Sequence, residues 1–386
     1  MSTALLRDRP AATAAMLAIF DDAATLRAAL AFEAALAESE AACGLIPGDV
    51  AARIAETCRT IAIPVGELAE EAALAGTLAI PLVARLRAAL AGMPDAAAAV
   101  HRGATSQDVA DSVLAQQMRG GTDLLLPVLR RTGDALAVLA ARHADVAAVG
   151  RTLLQDALPI GFGLRVAQWM AGIDAATARL AREAQAACVV QFGGAAGTRA
   201  GLDGQGAAVA AHLAAALGLG TTVAPWHARR EAVAGLAAAL GIVIGTLGKM
   251  ARDVALLAQG GVGEAREPAI AGRGGSSAMA HKRNPTGCQV ALSAAIRAPG
   301  LVATILSALP QELERGLGGW QAEGPVMADL FALAAGAAAA MATVAEGLEV
   351  DRDRLAHNLA TLGRGNDSGE SAALVAALLA ARRETR

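Results

Sequence analysis

The spacing of apolar positions near the start of the chain predicts a helix over residues 21–43. Leu26, Leu30, Ala34 and Ala37 recur at the three- and four-residue spacing of one helix face. The acidic residues of the segment fall on the other faces; they are Glu33, Glu38 and Glu40. The pattern therefore indicates one amphipathic helix with an apolar side that packs against other helices.

Residues at the ends of this helix and beyond it mark where helices start and stop. Asp21 is placed to cap the first helix and Gly44 to end it. Pro47 then opens a second helix that runs to Arg59. Further prolines separate shorter helices up to about residue 100.

The middle of the chain is more apolar, and its predicted helices are longer. Residues 228–258 contain no proline and predict one helix of about 31 residues, roughly 45 Å long. Residues 232–248 are apolar on every helix face, and residues 326–345 have the same pattern. A helix that is apolar all round must be buried on all sides, which long helices achieve by packing into a bundle, often with other subunits.

These patterns predict an all-α fold, a long-helix bundle with helical regions before and after it. We place an N-terminal helical region at residues 1–100, the central bundle at 101–345 and a short C-terminal helical region at 346–386. No alternating pattern of useful length indicates a strand, apart from the short ambiguous run Cys188–Phe192. Composition points the same way, because alanine and glycine dominate, aromatic residues make up 2% and tyrosine is absent.

Charge and cysteine content narrow the class of protein. The net charge is -3 without a basic stripe, so nucleic-acid binding has no support. The four cysteines form no C-x-x-C pair and have no zinc-ligand spacing to a histidine, so we predict no metal and a reduced, cytoplasmic setting. We expect no signal peptide and no membrane partner, because the longest uncharged stretch, between Glu231 and Lys249, is shorter than a convincing span. A pair of membrane helices at 232–248 and 330–345 is the alternative.

Two short polar islands interrupt the apolar helices. In the Thr105 island, residues 101–108, Thr105 is placed as an N-cap with Asp108 three residues on, a variant of the capping box. The same helix N-terminus is a potential anion site, so both interpretations hold together. The Arg151 island, residues 150–156, indicates by itself only a loop with a solvated arginine.

A third polar segment, the Ser276 loop at residues 271–285, carries the most chemistry. Gly274 and Gly275 allow a backbone with positive φ, and the paired serines Ser276 and Ser277 follow. A basic run comes next, and the final proline of the segment is placed to start a helix. An exposed basic loop is the alternative; a phosphate-binding P-loop is excluded because its order of glycine, lysine and serine is absent.

Taken together, the three segments resemble motifs of the fumarase/aspartase superfamily. Residues 276–284 read SSAMAHKRN and are similar to the family pattern S-S-x-M-P-x-K-x-N, with Ala280 in place of the proline. Thr105–Asp108 resembles the T-S-x-D segment, and Arg151–Gln155 falls where the family has T-H-x-Q. The segments occur in the family's order, and the similarity extends over about residues 20–335.

The resemblance implies a homotetramer with active sites built from three subunits and no cofactor. It implies that Ser276 gives or takes a carbon-bound proton. The substrate-binding residues that it implies are Lys282, Asn284, Thr105, Ser106, Arg151, Thr152, Gln155, His101, Ser277, Met279 and Arg315. A lone histidine is more often a surface or satisfied core residue than a functional one, and this applies to His227 and His281; His101, which precedes the T-S motif, is a candidate carboxylate contact.

Departures from the family motifs indicate a branch. Leu153 stands where lyases of the superfamily have a histidine, and a leucine neither relays a proton nor binds a carboxylate. Residues 150–160, 191–198 and 311–315 resemble instead the branch that cyclises 3-carboxy-cis,cis-muconate to a carboxymuconolactone, in protocatechuate breakdown by the β-ketoadipate pathway. That branch often has a histidine where Leu313 stands.

The implied substrate is a small tricarboxylate, which requires cations around it. The candidates are Arg151, Arg273, Lys282, Arg283 and Arg315. Two other functions stay open at this point. One is adenylosuccinate lyase or a related lyase that releases fumarate, and the other is a non-catalytic structural protein on the same scaffold.

Overall fold

The protein is described by a computed structural model that covers residues 5–279 and 282–384. Its helices and strands, in chain order, are α1 (Leu5–Asp8), α2 (Ala14–Ile19), α3 (Asp22–Ala42), α4 (Gly48–Thr60), α5 (Val65–Ala75), α6 (Ala79–Ala89), α7 (Pro94–Ala99), α8 (Ser106–Arg142), β1 (Ala147–Thr152), β2 (Gln155–Gly161), α9 (Phe162–Ala187), α10 (Gly206–Leu217), α11 (Glu231–Leu257), β3 (Ala265–Arg266), α12 (Thr286–Ser307), α13 (Gly319–Gly347), β4 (Glu349–Val350), α14 (Arg352–Leu362) and α15 (Ser371–Glu384). The all-α class is confirmed.

Several predicted helix boundaries are also confirmed. Asp21 is the N-cap of α3, and its side chain accepts a hydrogen bond from Ala24 N at 2.7 Å. The long helix expected over 228–258 is α11, which begins and ends within three residues of those bounds. The second apolar helix, α13, extends beyond 326–345 at both ends.

Five long helices form the central bundle: α8, α9, α11, α12 and α13 pack against one another along their lengths. The connections make α9 and α12 run opposite to the other three. At one end, Arg230 at the start of α11 bonds Asp111 in α8 and Glu323 in α13. At the other end, Glu264, which follows α11, bonds Arg151, which follows α8. The bundle therefore has two distinct ends, and polar groups gather at both.

Strands were missed by the sequence analysis. β1 and β2 form an antiparallel hairpin over the Arg151 island, with Ala147 opposite Gly161 and Thr152 opposite Gln155. β3 and β4 form a second, shorter pair. The hairpin turn contains two leucines instead of the Asn-Gly or Asp-Gly pair that normally marks such a turn, so the usual signal is absent. In the ambiguous run Cys188–Phe192, Val189 forms a single bridge to Gly220.

Apolar surface is distributed unevenly over the long helices. Among the described residues, α11, α12 and α13 are each long and apolar enough to cross a membrane by length and composition, although the sequence pattern had suggested a shorter apolar stretch. Within the most apolar 18-residue stretch of each helix, the share that is buried inside the molecule is 56% in α11 and 61% in α13, but 22% in α12. Burial within the bundle accounts for the apolar character of α11 and α13, whereas α12 leaves much of its apolar surface uncovered.

The remaining helices pack around this bundle. α3 contacts α4, α8 and α10, while α15 lies along α9 and α14 contacts β1. The three regional boundaries drawn from the sequence stay a prediction.

Candidate active site

The Thr105 island lies at the N-terminus of α8. Thr105 is the N-cap and forms the predicted capping box with Asp108, whose Oδ2 accepts from Thr105 N at 2.9 Å. Arg315, in the connection between α12 and α13, donates from Nη1 to Thr105 Oγ1 at 2.7 Å. Ser106 begins α8 and lines a cavity of about 290 Å³. The structure thus brings three of the predicted substrate-binding residues together.

The carboxylate of Asp108 anchors this island to the bundle interior. It is fully buried and accepts from the backbone N–H groups of Gly193 and Gly194, each at 2.9 Å. His227 Nε2 lies 2.7 Å from Asp108 Oδ1. With Thr105 N, the carboxylate has four donors, which satisfies its buried charge. His227 is accordingly a buried partner of Asp108.

A second buried network lies just below the first. Arg230 donates to both oxygens of Asp111, at 2.8 and 2.9 Å, and to Glu323 at 2.9 Å. Its guanidinium lies 4.6 Å from the centre of the Trp226 ring. Burial raises the pKa of Glu323, and the hydrogen bonds from Arg230 act against that effect. The network fixes the ends of α8, α11 and α13 relative to one another and so holds the Thr105 island in place.

The Arg151 island lies at the opposite end of the bundle. Arg151 forms a bidentate ion pair with the buried carboxylate of Glu264, at 2.8 and 2.7 Å, and donates from Nε to Asp156 at 3.0 Å. The hydrogen bonds with Glu264 raise the pKa of Arg151. The arginine is therefore paired rather than solvated, and its charge is compensated within the chain. Its role in substrate binding stays a prediction.

The tip of the hairpin is exposed and has an unusual backbone. Thr152 and Gln155 pair across the turn and are both exposed. Leu153 and Leu154 have φ values of 52° and 63°, a conformation that costs an L-residue about 1–2 kcal/mol. Their side chains are 96% and 76% exposed. An apolar, strained and solvent-facing turn is unfavourable in an isolated chain and is typical of a segment that contacts another molecule.

The Ser276 loop follows β3, at the same end of the bundle as the hairpin. Ser276 Oγ accepts hydrogen bonds from Met279 N at 3.1 Å and Ala278 N at 3.3 Å. Two N–H groups aimed at this oxygen stabilise negative charge on it. Ser277 and Met279 are exposed, as is Lys282. Ala280 and His281, the variable positions of the motif, lie outside the described residues.

The closure of this loop depends on Gly274 and Asn284. Asn284 N donates to Gly274 O at 2.7 Å, and Asn284 Nδ2 donates to Gly275 O at 3.3 Å. Gly274 has a φ of +74°, and a Cβ there would lie 2.6 Å from Asn284 O. Glycine is therefore required at this position. The side chain of Asn284, predicted to bind substrate, also ties the two ends of the loop together.

The arginines of the loop are engaged with nearby carboxylates. Arg283 donates to Glu267 O at 2.6 Å and to Glu349 at 3.2 Å, while Arg273 lies 3.5 Å from the Glu267 carboxylate. The hydrogen bonds from Arg283 lower the pKa of Glu349. Lys282 projects from the exposed part of the loop, which makes it a better candidate for an incoming carboxylate than either arginine.

The predicted site residues thus form two half-sites at opposite ends of one chain. We call the half-site at Thr105, with His101, Ser106 and Arg315, the α8 half-site. The hairpin tip and the Ser276 loop form the loop half-site. The helices between them contain 37 residues in α8 and 27 in α11, which corresponds to about 55 and 40 Å. A small substrate cannot bridge that distance within one chain.

Three buried carboxyl groups were misread or missed. Glu33 and Glu40 were assigned to polar faces of the first helix, yet both are fully buried. Glu33 Oε1 lies 2.7 Å from His101 Nδ1. Glu264, the partner of Arg151, was not singled out at all. An acidic residue within an apolar stretch is the sequence feature that could have indicated a buried carboxylate. Its hydrogen-bond partner could not be predicted, because it comes from a distant part of the chain.

Residues 5–279 and 282–384 form no candidate metal site. That part of the chain contains no group of three or more histidine, cysteine, aspartate and glutamate side chains placed to hold a metal ion. The four cysteines are free, and burial raises the pKa of Cys58 and of Cys188 to about 12. The thiols of Cys58 and Cys188 are therefore neutral and packed in the core.

Comparison with known proteins agrees with this architecture. A family model described as Lyase matches residues 9–300. The chain is 46% identical over 362 residues to a 3-carboxy-cis,cis-muconate cycloisomerase from Bradyrhizobium diazoefficiens, covering 93% of this chain and 80% of the relative. It is 47% identical over 347 residues to the enzyme of the same description from Pseudomonas aeruginosa, covering 90% and 76%.

A solved structure is similar over nearly the whole chain. The crystal structure of 3-carboxy-cis,cis-muconate lactonizing enzyme from Pseudomonas putida superposes with a TM-score of 0.86 at 38% identity, covering 99% of this chain and 88% of that one. The fold and the two half-sites define an enzyme of the long-helix lyase type. The chain belongs to the lyase family of the fumarase/aspartase superfamily.

Proposed function

We propose that this protein is a cycloisomerase that converts 3-carboxy-cis,cis-muconate to a carboxymuconolactone. The observation that carries the proposal is that several relatives of this description are 44–47% identical to the chain over alignments that cover 89–93% of it. Leu153 supports the same branch, because the histidine used by lyases of the superfamily is replaced there by an apolar side chain.

The reaction requires that a substrate carboxylate is held against a double bond of the same molecule and that one proton is delivered to carbon. A carboxylate oxygen of the substrate forms a C–O bond to one carbon of a double bond, the π electrons move to the neighbouring carbon, and a proton bonds there. The charge that develops on the substrate is enolate-like, so fixed donors and cations lower the barrier. One proton is taken up overall, and no electron leaves the molecule.

Ser276 is the group that we assign to proton delivery. Its O–H bond breaks as the new C–H bond forms, and solvent then returns a proton to Oγ. The N–H groups of Ala278 and Met279 already point at Oγ and offset the charge that remains there. Ser277 and Met279 lie beside it on the exposed loop and are assigned to the substrate pocket, as are Thr152 and Gln155 on the hairpin tip.

Cations for the substrate carboxylates come from both half-sites in this proposal. Lys282 is exposed in the Ser276 loop, and Arg315 donates only to neutral acceptors, the Thr105 hydroxyl and the Ala195 carbonyl. Arg151 is already neutralised by Glu264, so it contributes less net charge than either. His101 and Asn284 complete the polar lining that we assign.

We further propose a homotetramer whose active sites are shared between subunits. The α8 half-site and the loop half-site are separated by the length of the bundle in one chain, and neighbouring chains that pack in opposite directions would bring them together. The exposed apolar side of α12, with Ile296 76% exposed, and the leucine tip of the hairpin supply surface for that packing. The cytoplasmic location stays a prediction.

The activity is tested by following the ultraviolet absorbance of 3-carboxy-cis,cis-muconate, because the conjugated diene absorbs and the lactone does not. We expect decay with the purified protein and at least a hundredfold slower decay with Ser276→Ala. No decay with the native protein would refute the proposed reaction, and adenylosuccinate and related succinyl substrates would then be assayed. Undiminished decay with Ser276→Ala would keep the reaction and refute the assignment of the serine.

Shared sites are tested by mixing inactive variants. Ser276→Ala and Thr105→Ala alter different half-sites, so unfolding and refolding them together should restore activity at about a quarter of the sites. Ser276→Ala mixed with Lys282→Ala is the control, since both residues lie in one loop and should not complement. Light scattering measures the mass of the assembly in parallel. Equal behaviour of the two mixtures, or a monomer that is fully active, would refute the shared site.

A further inference from the structure

His101 and Glu33 form an isolated pair beneath the α8 half-site. Glu33 lies in the middle of α3, and its Oε1 is 2.7 Å from His101 Nδ1. Its side chain is completely buried, whereas that of His101 is 14% exposed. The imidazole therefore lies between a buried carboxylate on one side and the surface of the half-site on the other.

The pair is costly for stability alone. Glu33 Oε2 is buried without a hydrogen-bond partner. The carboxyl group is therefore held by one described hydrogen bond, the contact of Oε1 with His101. A buried carboxylate with one partner is weak as a stabilising element. His101 itself has a φ of 63°, a backbone conformation that few non-glycine residues adopt and that persists where the surroundings impose it. Both features point to a functional reason for the pair.

The contact fixes which nitrogen of His101 remains available. An ionised carboxylate only accepts hydrogen bonds, so Nδ1 must carry hydrogen and donate to Glu33. Nε2 is then the nitrogen left for a ligand. A substrate carboxylate also only accepts hydrogen bonds, so it would bind at Nε2 through a hydrogen on that nitrogen.

We infer that Glu33 is a positioning residue that holds His101 with Nε2 directed at a carboxylate of the substrate. The inference rests on the proposed function, because it names the contact that one substrate carboxylate makes in the α8 half-site. Glu33 itself does not touch the substrate. It sets the orientation and the tautomer of the histidine, much as carboxylates behind metal-binding histidines do.

Glu40 is a second buried carboxyl group near the pair, and unlike Glu33 it makes no hydrogen bond to His101. Glu40 lies two turns further along α3 and is equally buried, but both of its oxygens lack a partner. Burial raises the pKa of Glu40 to about 8, with Arg102 lowering it and Glu33 raising it. Glu40 is therefore neutral at pH 7 and has no hydrogen bond to His101. It provides a matched control on the same helix.

The test compares Glu33→Gln with Glu40→Gln and places Glu33→Gln in a His101→Asn background. Glutamine keeps the size of glutamate but removes the charge behind His101, and asparagine keeps a donor near the position of Nδ1 but lacks Nε2. We expect KM to rise about tenfold in Glu33→Gln with kcat within about twofold, because the contact binds substrate and transition state alike. Glu40→Gln should leave both constants within about twofold.

The double variant separates positioning from a merely structural role. If Glu33 acts through His101, Glu33→Gln causes no further loss once His101 is asparagine. Losses that multiply in the double variant, or equal effects of Glu33→Gln and Glu40→Gln, would overturn the inference. Thermal unfolding of each variant checks that the fold is kept.

A spectroscopic measurement tests the tautomer of His101 independently of the proposed reaction. Solid-state ¹⁵N spectra of protein labelled at its six histidines report which nitrogen of each ring is protonated. The His101 signal is assigned by its loss in His101→Asn. We expect Nδ1 of His101 to be protonated in the native protein, and a ring protonated at Nε2 alone would overturn the inference. Absence of muconate turnover by the native protein would refute the proposed function instead.

Discussion

The strongest structural prediction concerns Asp108, which connects the bundle core to the α8 half-site. Its carboxylate accepts from Thr105 N, Gly193 N, Gly194 N and His227 Nε2, all within 2.7–2.9 Å. In Asp108→Asn one oxygen is replaced by an NH₂ group, so two of the four donors face another donor. A hydrogen bond to a charged group contributes about 1.5–3 kcal/mol, so the loss of two should lower the free energy of unfolding by about 3–6 kcal/mol.

The measurement is urea unfolding followed by circular dichroism at one fixed protein concentration, because assembly makes apparent stability depend on concentration. Asp123→Asn is the control, since it makes the same substitution on the same helix in an exposed pair with Arg119 and should cost less than about 0.5 kcal/mol. Asp108→Asn should also weaken substrate binding, because Asp108 bonds the backbone of Thr105 and the Thr105 hydroxyl in turn bonds Arg315. Equal loss of stability in the two variants would show that the four-donor network does not hold the end of α8.

Three further outcomes are expected. Ser276→Ala should lower kcat by about 10²–10⁴-fold without changing thermal stability, whereas Thr60→Ala at the exposed end of α4 should leave both unchanged; the ultraviolet assay and a thermal melt measure this. Burial raises the pKa of Glu40 from 4.5 to about 8, so the folded protein holds a proton that the unfolded chain releases. That contribution is complete below pH 4.5 and is lost as the pH rises towards 8. Glu40→Gln should therefore flatten the fall in unfolding free energy over this range, by up to about 1.4 kcal/mol per pH unit, and an unchanged slope in urea titrations would contradict the assignment. Replacing Leu153 by Asn and Leu154 by Gly should relieve the backbone strain and remove the apolar contacts proposed between subunits, so light scattering should show a smaller assembly; an unchanged mass with a raised melting temperature would mean that the leucines make no contact between subunits.

The sequence by itself determined the local structure of the long helices. Asp21 and Thr105 could be recognised as N-caps because a capping side chain bonds groups within its own first turn. The apolar run at 232–248 identified a buried helix, since a segment that is apolar on every face requires burial whatever its neighbours are. Motif spacing likewise made Ser276 the candidate for proton transfer, which stays a prediction; the described hydrogen bonds of its hydroxyl lie within its own loop.

Only the tertiary structure decided the contacts between distant segments. Arg151 pairs with Glu264, 113 positions away, and His101 with Glu33, 68 positions away. No local pattern encodes such pairs, because they depend on how α3, α8 and α11 pack. The hairpin was missed for a related reason, since Leu153 and Leu154 adopt a turn that their own preferences disfavour and that the surrounding fold imposes. The separation of the two half-sites along the bundle also depends on the direction in which each long helix packs against its neighbours, which no local sequence pattern predicts.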